Sequence, residues 1–397
     1  MTAMSLKIAA AAAALLIPAL AGAQHRPYQN PEPYPQELRD AVKFVYDADF
    51  AMNFDNREYD VSGFQTSETI FGARLTPAIG LQIGAGHGQT HRIMAAIDVM
   101  KDFGDPSAVN GELFHELKFW YSFRQSLRKG GSLEMTAGIF PKSMSGEEWS
   151  TAFFSEKSRW YDNNMEGALF RWSRPDAALE FACDWNGKIG AGADTREQFM
   201  IMSAGHKDFG IWRIGYNGYG VHFANSEVVK GVVDNILAEP YVRVDLTGAT
   251  RWFFSKFHVR AGWLQSLQQD RRLDTGFEAS GLAELTVELR KWGFGLTNSL
   301  YAGKDIMPYF AKTDEGGILY GERLYFGDQF FRLNSDGSGD SHFYDRAELS
   351  WMPEICPGVN LGAAVVFHFG GDGLLGNQET FRLSVNLHDL ILGLRRR

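Results

Sequence analysis

The sequence predicts an all-β protein: a transmembrane antiparallel up-and-down β-barrel of about 16 strands, an even number being the usual closure. Three observations carry that expectation. Segment after segment alternates apolar and polar side chains, as in 282–290, where Ala283, Leu285, Val287 and Leu289 oppose Glu284, Thr286, Glu288 and Arg290. A period of two marks an extended chain with one greasy and one polar face. Aromatic residues and glycine abound (30 Phe, 14 Tyr, 10 Trp, 43 Gly), yet mean hydropathy is only -0.23. Lipid-facing residues that alternate with lumen-facing ones hide a membrane signal in this way. Rows of charge behind apolar faces also need water, which an aqueous bore supplies and a two-sheet sandwich core does not.

At the N-terminus, Lys7 precedes the apolar run 8–20, which ends in Ala21-Gly22-Ala23 ahead of Gln24. A charged start, a short apolar core and small residues at the cut read as a secretory signal peptide over 1–23. Gln24 in place of cysteine speaks against a lipid-anchored form. Pro27, Pro31, Pro33 and Pro35 make 24–40 a proline-rich periplasmic lead-in. The rest, 41–397, reads as a single outer-membrane barrel with long loops at 141–164, 218–238 and 303–341. No stretch after the leader approaches the ~20 apolar residues of a membrane helix.

The strands follow in order. Segment 43–53 sets Phe44, Tyr46, Phe50 and Met52 against Asp47 and Asp49. Segments 67–75 and 80–88 are expected as two strands joined by a turn at Thr76-Pro77. In 89–100, Ile93, Ala95, Ile97 and Val99 oppose Arg92, Met94, Ala96 and Asp98. In 112–124, Leu117, Phe119, Tyr121 and Phe123 oppose Glu116, Lys118, Trp120 and Ser122. That segment exceeds the five or six residues typical of globular strands and suits a barrel-spanning strand of ~9–11. Around 132–188 the recurring unit is clearest: strand, long polar-aromatic loop, strand, tight turn, strand. A hairpin over 197–217, strands at 239–247, 256–265, 282–290 and 292–302, an irregular region at 303–340, and strands at 342–352, 360–369 and 379–388 complete the chain. Sixteen or seventeen segments result, and even closure selects sixteen. Outer-membrane barrels commonly end on an aromatic residue, whereas this chain ends Leu392-Gly393-Leu394-Arg395-Arg396-Arg397. Either the last strand stops near His388 with a basic tail, or 389–394 extends it.

The stretches GIFPKSMSGEEWSTAFFSEKSRWYDNNMEGALFRW and LEFACDWNG, with FGARLTPAIGLQIG, HRIMAAIDVMKDFG, YGERLYFGDQFFR and YDRAELSW, resemble a porin-like outer-membrane β-barrel family of the Bacteroidetes group. The resemblance implies outer-membrane location and barrel architecture, and hands over no substrate.

A formal net charge of -9 argues against a nucleic-acid partner. Cys183 and Cys356 are too few for a disulfide framework and are expected as free thiols. His115-Glu116-Leu117-Lys118-Phe119 begins like a zinc-helix motif, but residue 119 is Phe and the segment reads as a strand. Gly84, Gly86 and Gly88 lack the helix that a phosphate loop requires. No G-x-S-x-G elbow occurs. Asn334, Asp336 and Asp340 read as a solvated turn rather than a calcium loop, which would carry a bidentate Glu. No cofactor, metal site or catalytic residue is expected.

The charged residues that remain are candidates for lining a pore. In loop 141–164 Lys142, Glu147, Glu148, Glu156, Lys157, Arg159 and Asp162 supply both signs, and Lys142, Glu147, Glu148, Arg159 and Asp162 are taken as pore-lining. A porin-type loop folds into the lumen and biases selectivity; an extracellular loop with rim aromatics stays open as the alternative. Strand parity adds Arg171, Glu180, Asp184, Arg243, Glu284, Glu288, Arg290, Arg346 and Glu348. The expectation is a channel in the outer-membrane lipid, without chemical turnover, for passive diffusion of small polar solutes or ions. Assembly into homo-oligomers stays open. The alternatives are a polysaccharide-export barrel, an outer-membrane enzyme of lipase or protease type, and a purely structural barrel.

Overall fold

The computed structural model describes residues 42–59, 66–86, 88–105, 114–192, 195–273, 275–313, 317, 320–332 and 342–395. Sixteen long antiparallel strands form the wall. They are β1 (Val42–Glu58), β2 (Glu68–Gly84), β3 (Gln89–Asp102), β4 (Phe114–Ser126), β5 (Ser132–Pro141), β6 (Asn164–Arg174), β7 (Ala177–Gly187) and β8 (Gln198–Phe209). There follow β9 (Trp212–Phe223), β10 (Val233–Asp245), β11 (Lys256–Asp270), β12 (Glu278–Lys291), β13 (Phe294–Gly303), β14 (His342–Trp351), β16 (Val359–Gly370) and β17 (Gly373–Asn386). A three-residue strand, β15 (Glu354–Cys356), sits beside β16. Each wall strand pairs with the next, and β17 pairs back onto β1. The sheet is therefore a closed barrel with no free edge. The leader over 1–23 and the lead-in over 24–40 lie outside the described residues.

Register decides which side chains face the bore. Asp49, Ala51, Asn53, Asp55 and Arg57 of β1 stand opposite Asn386, Ser384, Arg382, Thr380 and Gln378 of β17. Of these β1 residues, Asn53, Asp55 and Arg57 are buried, while Phe44 on the other face is 66% exposed. The same parity runs round the barrel, with Ile79, Ile93, Phe119 and Ile214 exposed on the outside. In a membrane these side chains meet lipid, so their exposure costs nothing.

The Thr76-Pro77 turn does not exist; β2 runs unbroken from Glu68 to Gly84. That spurious turn is why the segments totalled seventeen as readily as sixteen. Pro77 fits because the β2–β3 partners step from Leu75↔Val99 to Ala78↔Ala96, so no donor is required of it there, while Ala48 stands opposite on β1. Pro240 repeats the device between Ala238↔Gln265 and Tyr241↔Gly262. A residue without N–H is tolerated where the ladder needs no donor. The long loop expected at 218–238 is likewise mostly wall, because β9 runs to Phe223 and β10 begins at Val233. At the C-terminal end, β17 stops at Asn386 and helix α2 (Leu387–Arg395) follows, so residues 389–394 do not extend the strand. Asn386 Oδ1 accepts the Asp389 N–H at 2.9 Å.

The two-residue turns 175–176, 210–211 and 292–293 lie at one end of the barrel, and a fourth, 371–372, lies at the other. The connections 142–163 and 304–341 leave from that second end. The apolar core lies inside the bore. Wall residues Met200, Val221, Phe223, Leu264 and Tyr344 pack there against Phe153, Ile306, Leu324, Phe330 and Phe331, which the two long connections supply.

Candidate functional site

Connection 142–163 crosses the lumen and is tied to the wall on opposite sides. At its base stands Asp98 of β3, wholly buried. Arg74 reaches its Oδ2 at 2.7 Å and Lys118 at 3.4 Å, and Asn164 donates to it at 3.3 Å. Arg74 also donates to Asn163 Oδ1 and, along the loop, to the Trp160 carbonyl. Lys142 lies 2.6 Å from Asp162 and 3.0 Å from Asp184 of β7. Burial alone would push the Lys142 ammonium down; the Asp162 and Asp184 carboxylates outweigh it and hold the group above its ordinary value.

Further along, Ser145 Oγ donates to Glu180 at 2.7 Å, and Arg171 Nε approaches the same carboxylate at 3.2 Å. Glycine at 146 lets the Arg171 guanidinium lie against the loop backbone, within 2.0 Å of where a Cβ would stand. Glu147 Oε2 lies 2.8 Å from His206 Nδ1 of β8, and Glu148 lies 3.5 Å from Arg243 of β10. The loop then turns into helix α1 (Glu156–Tyr161). Glu156 meets Arg346 of β14 at 3.6 Å and also Arg382 of β17. Lys157 pairs with Glu68 at 2.7 Å, and the Tyr161 hydroxyl donates to Asp102 at 2.9 Å. Among the described residues, Arg159 finds its acceptors in the Trp149 and Ser150 carbonyls. Burial, aided by the Arg346 charge, pushes its guanidinium down to about 10, so it stays cationic at neutral pH.

The second connection packs on the first. The Ser155 N–H donates to the Phe326 carbonyl at 2.7 Å, and the Asp328 N–H to the Thr151 carbonyl at 2.8 Å. Between them Gly327 has no room for a side chain; a Cβ would lie 2.0 Å from Ala152 O. Aromatic rings fill the remaining space: Phe153 meets Tyr219 edge-on at 5.6 Å, and Phe330 stacks on His368 at 4.0 Å. Such pairs add roughly 0.5–1.5 kcal/mol each beyond burial. Beside Glu156, Arg346, Arg382 and Thr380 remains a cavity of about 30 Å³, whose lining continues to Gly362 and Met352 toward the short-turn end.

The charged residues singled out from the sequence fall into small groups. Lys142 joins Asp162 and Asp184; Arg171 joins Glu180; Glu147 and Glu148 reach His206 and Arg243. Glu288 pairs with Arg290 at 2.8 Å and with Lys256 at 2.6 Å near the short-turn end. Arg346 holds Glu348 at 2.7 Å. Glu284 lies 3.9 Å from Arg260, which contacts Glu239 at 2.7 Å. Gly262 lets the two carboxylates approach across β11, since a Cβ there would stand 2.8 Å from Glu239 and 3.2 Å from Glu284. Sequence reasoning missed Arg382, His206, Glu239, Arg260 and Arg74 as partners. Parity would have placed most of them inside, but only the register shows whom they meet. Among the described residues no group of His, Cys, Asp and Glu is arranged to hold a metal. Asn334, Asp336 and Asp340 lie outside them. Cys183 and Cys356 are free thiols.

A polar patch interrupts the outer face where β17, β1 and β2 reach the long-loop end. Asn56 Nδ2 donates to Glu379 at 2.9 Å, Asn377 Nδ2 donates to the other oxygen of Glu379 at 2.7 Å, and Thr69 Oγ1 donates to Asn56 Oδ1 at 2.8 Å. By parity all four project away from the lumen.

Residues 43–209, from β1 to β8, match the family described as Lipid A 3'-O-deacylase-type. No curated protein matches the chain. Among solved structures, a loop L8 deletion mutant of OmpT, an outer membrane protein of Vibrio cholerae, superposes with a TM-score of 0.53 at 8% identity, covering 87% of this chain and 100% of that one. In-vitro folded OmpT gives 0.51 at 7% identity, covering 89% and 99%. Its trimer form gives 0.51 at 8% identity, covering 87% and 100%. At such identity the likeness is one of fold. The family match overturns the expectation of a barrel without chemical turnover, because that family is described by a reaction on lipid A. The closed wall, its greasy exterior and these structural relatives agree on one conclusion: the chain is an outer-membrane β-barrel.

Proposed function

We propose that the barrel, exported under its N-terminal leader, passes small polar solutes and ions along the seam between loop 142–163 and the wall from β14 to β1. The observation that carries this reading is the way the loop is held. It bridges the bore on ion pairs and hydrogen bonds to β2, β3, β7, β8, β10, β14 and β17, and beside Glu156 a cavity remains that charged side chains line together with Met352, Ala363 and Val366. A constriction built from charges sorts solutes by size and sign. Lys142, Glu147, Glu148, Arg159 and Asp162 on the loop face Arg171, Glu180, Asp184, Arg243, Arg346 and Glu348 on the wall, and Glu284, Glu288 and Arg290 continue the charged surface toward the short turns. Refolded protein in planar bilayers is expected to open in discrete steps. Replacing 143–161 by a short glycine linker is expected to raise unit conductance several-fold. Silence from both proteins overturns the reading.

A second reading is favoured by the outer polar patch together with the family match. Glu379, held between Asn56 and Asn377, has the makings of a general base for water at the level of lipid headgroups, and the amides supply donors for a developing oxyanion. The substrate class would be an acyl ester of lipid A. Mass spectrometry of lipid A incubated with the protein should then show loss of one ester-linked chain, and Glu379→Gln should abolish it. Lipid A of unchanged mass after incubation with the unaltered protein sinks this second reading.

A further inference from the structure

We propose that Glu156 is a built-in counter-ion seated in a binding site for small organic carboxylates, which such a solute enters by taking its place on Arg346 and Arg382. The inference rests on the conduit reading above for the route by which the solute arrives.

The two guanidiniums come from β14 and β17, and both converge on the Glu156 carboxylate of the loop. Each is held from behind by another wall group. Glu348 binds Arg346 NH1 at 2.7 Å, and Asn53 Oδ1 accepts from Arg382 Nε at 3.0 Å. The forks therefore keep their aim when Glu156 leaves. Planar, oriented guanidinium edges match a planar carboxylate, and the chain's own occupant has that chemistry. Charge favours exchange over loss. Departure of Glu156 takes one carboxylate away from the two guanidiniums, a loss that an incoming carboxylate answers.

Space points the same way. The adjoining cavity is about 30 Å³, room for about one water molecule. To reach both guanidiniums a carboxylate has to take the place of Glu156, which already occupies them. The cavity provides the first foothold, with Thr380 supplying a hydroxyl and Gly362 and Ala364 offering little bulk. Glu156 is the first residue of the six-residue helix α1 in the crossing loop, so its side chain can swing away without any wall strand moving.

Equilibrium dialysis of the refolded full-length protein against radiolabelled succinate tests this directly. Removing the internal competitor with Glu156→Gln is expected to tighten succinate binding roughly ten-fold, as when an occluded state is removed from a two-state equilibrium. Adding Arg346→Gln and Arg382→Gln to that variant is expected to abolish it. Heat-modifiable migration on gels confirms that each variant has formed its barrel. Binding by Glu156→Gln no tighter than by the unaltered protein, or binding that survives loss of both arginines, overturns the proposal. Bilayer recordings on the same samples separate the two ideas. A conducting barrel with unchanged succinate binding defeats the counter-ion alone, whereas tightened binding in a silent barrel supports the site and defeats the conduit.

Discussion

Asp98→Ala is expected to destabilise the barrel by about 3–5 kcal/mol, the usual cost of stranding a buried charge. Here two cations are stranded. The Arg74 and Lys118 side chains are each 1% exposed, and Asp98 is the carboxylate that both contact. Asn164, at the return of the crossing loop into β6, loses the same acceptor. Asp98→Asn keeps an oxygen for hydrogen bonding but not the charge, and its cost should fall between alanine and the unaltered protein. Urea unfolding of protein refolded into lipid vesicles, followed by tryptophan fluorescence, measures both. If the two variants unfold within about 1 kcal/mol of the parent, the cluster is not what anchors the loop.

That cluster also marks how far the sequence could be read. Alternation alone placed Asp98 and Lys118 on inward faces, because a period of two leaves each residue only two sides to choose from. Arg74 was obscured by the proline three residues later, which imitates a turn signal; only the skipped pairing against β3 shows how a proline sits inside a wall strand. The same logic explains the segment at 218–238. Gly218 and Gly220 contribute no side chain to the pattern, so the alternation faded although β9 continues to Phe223.

The interior was less legible for a different reason. Whether 142–163 lies in the bore or above it depends on partners far away in sequence, such as Glu156 with Arg346 and Arg382, or Lys157 with Glu68. No local pattern encodes a separation of that size. The aromatic content of the loop hinted at burial, and Phe153 is indeed fully buried, but a rim loop would carry aromatic residues too. The outer polar patch was invisible to motif reasoning because Asn56, Thr69, Asn377 and Glu379 meet only where the last strand closes onto the first.

The second lumen loop carries a group whose ionisation works against the fold. Asp305 follows β13, its carboxylate accepts the Met307 N–H at 2.6 Å, and burial raises its pKa to about 6 against the pull of that hydrogen bond and of Arg332. The folded protein thus holds a proton that the unfolded chain has already released, in the window between the ordinary aspartate value near 4 and about 6. Stability must fall as pH rises through that window and stay reduced above it. The shift corresponds to about 3 kcal/mol. Asp305→Asn retains the acceptor oxygen and removes the charge, so it should stabilise the protein by about that amount at pH 8 and by little at pH 4. Urea midpoints measured at the two pH values provide the comparison. A gain that is equal at both would assign the effect to packing, and no gain at pH 8 would mean that the carboxylate is adequately solvated where it stands.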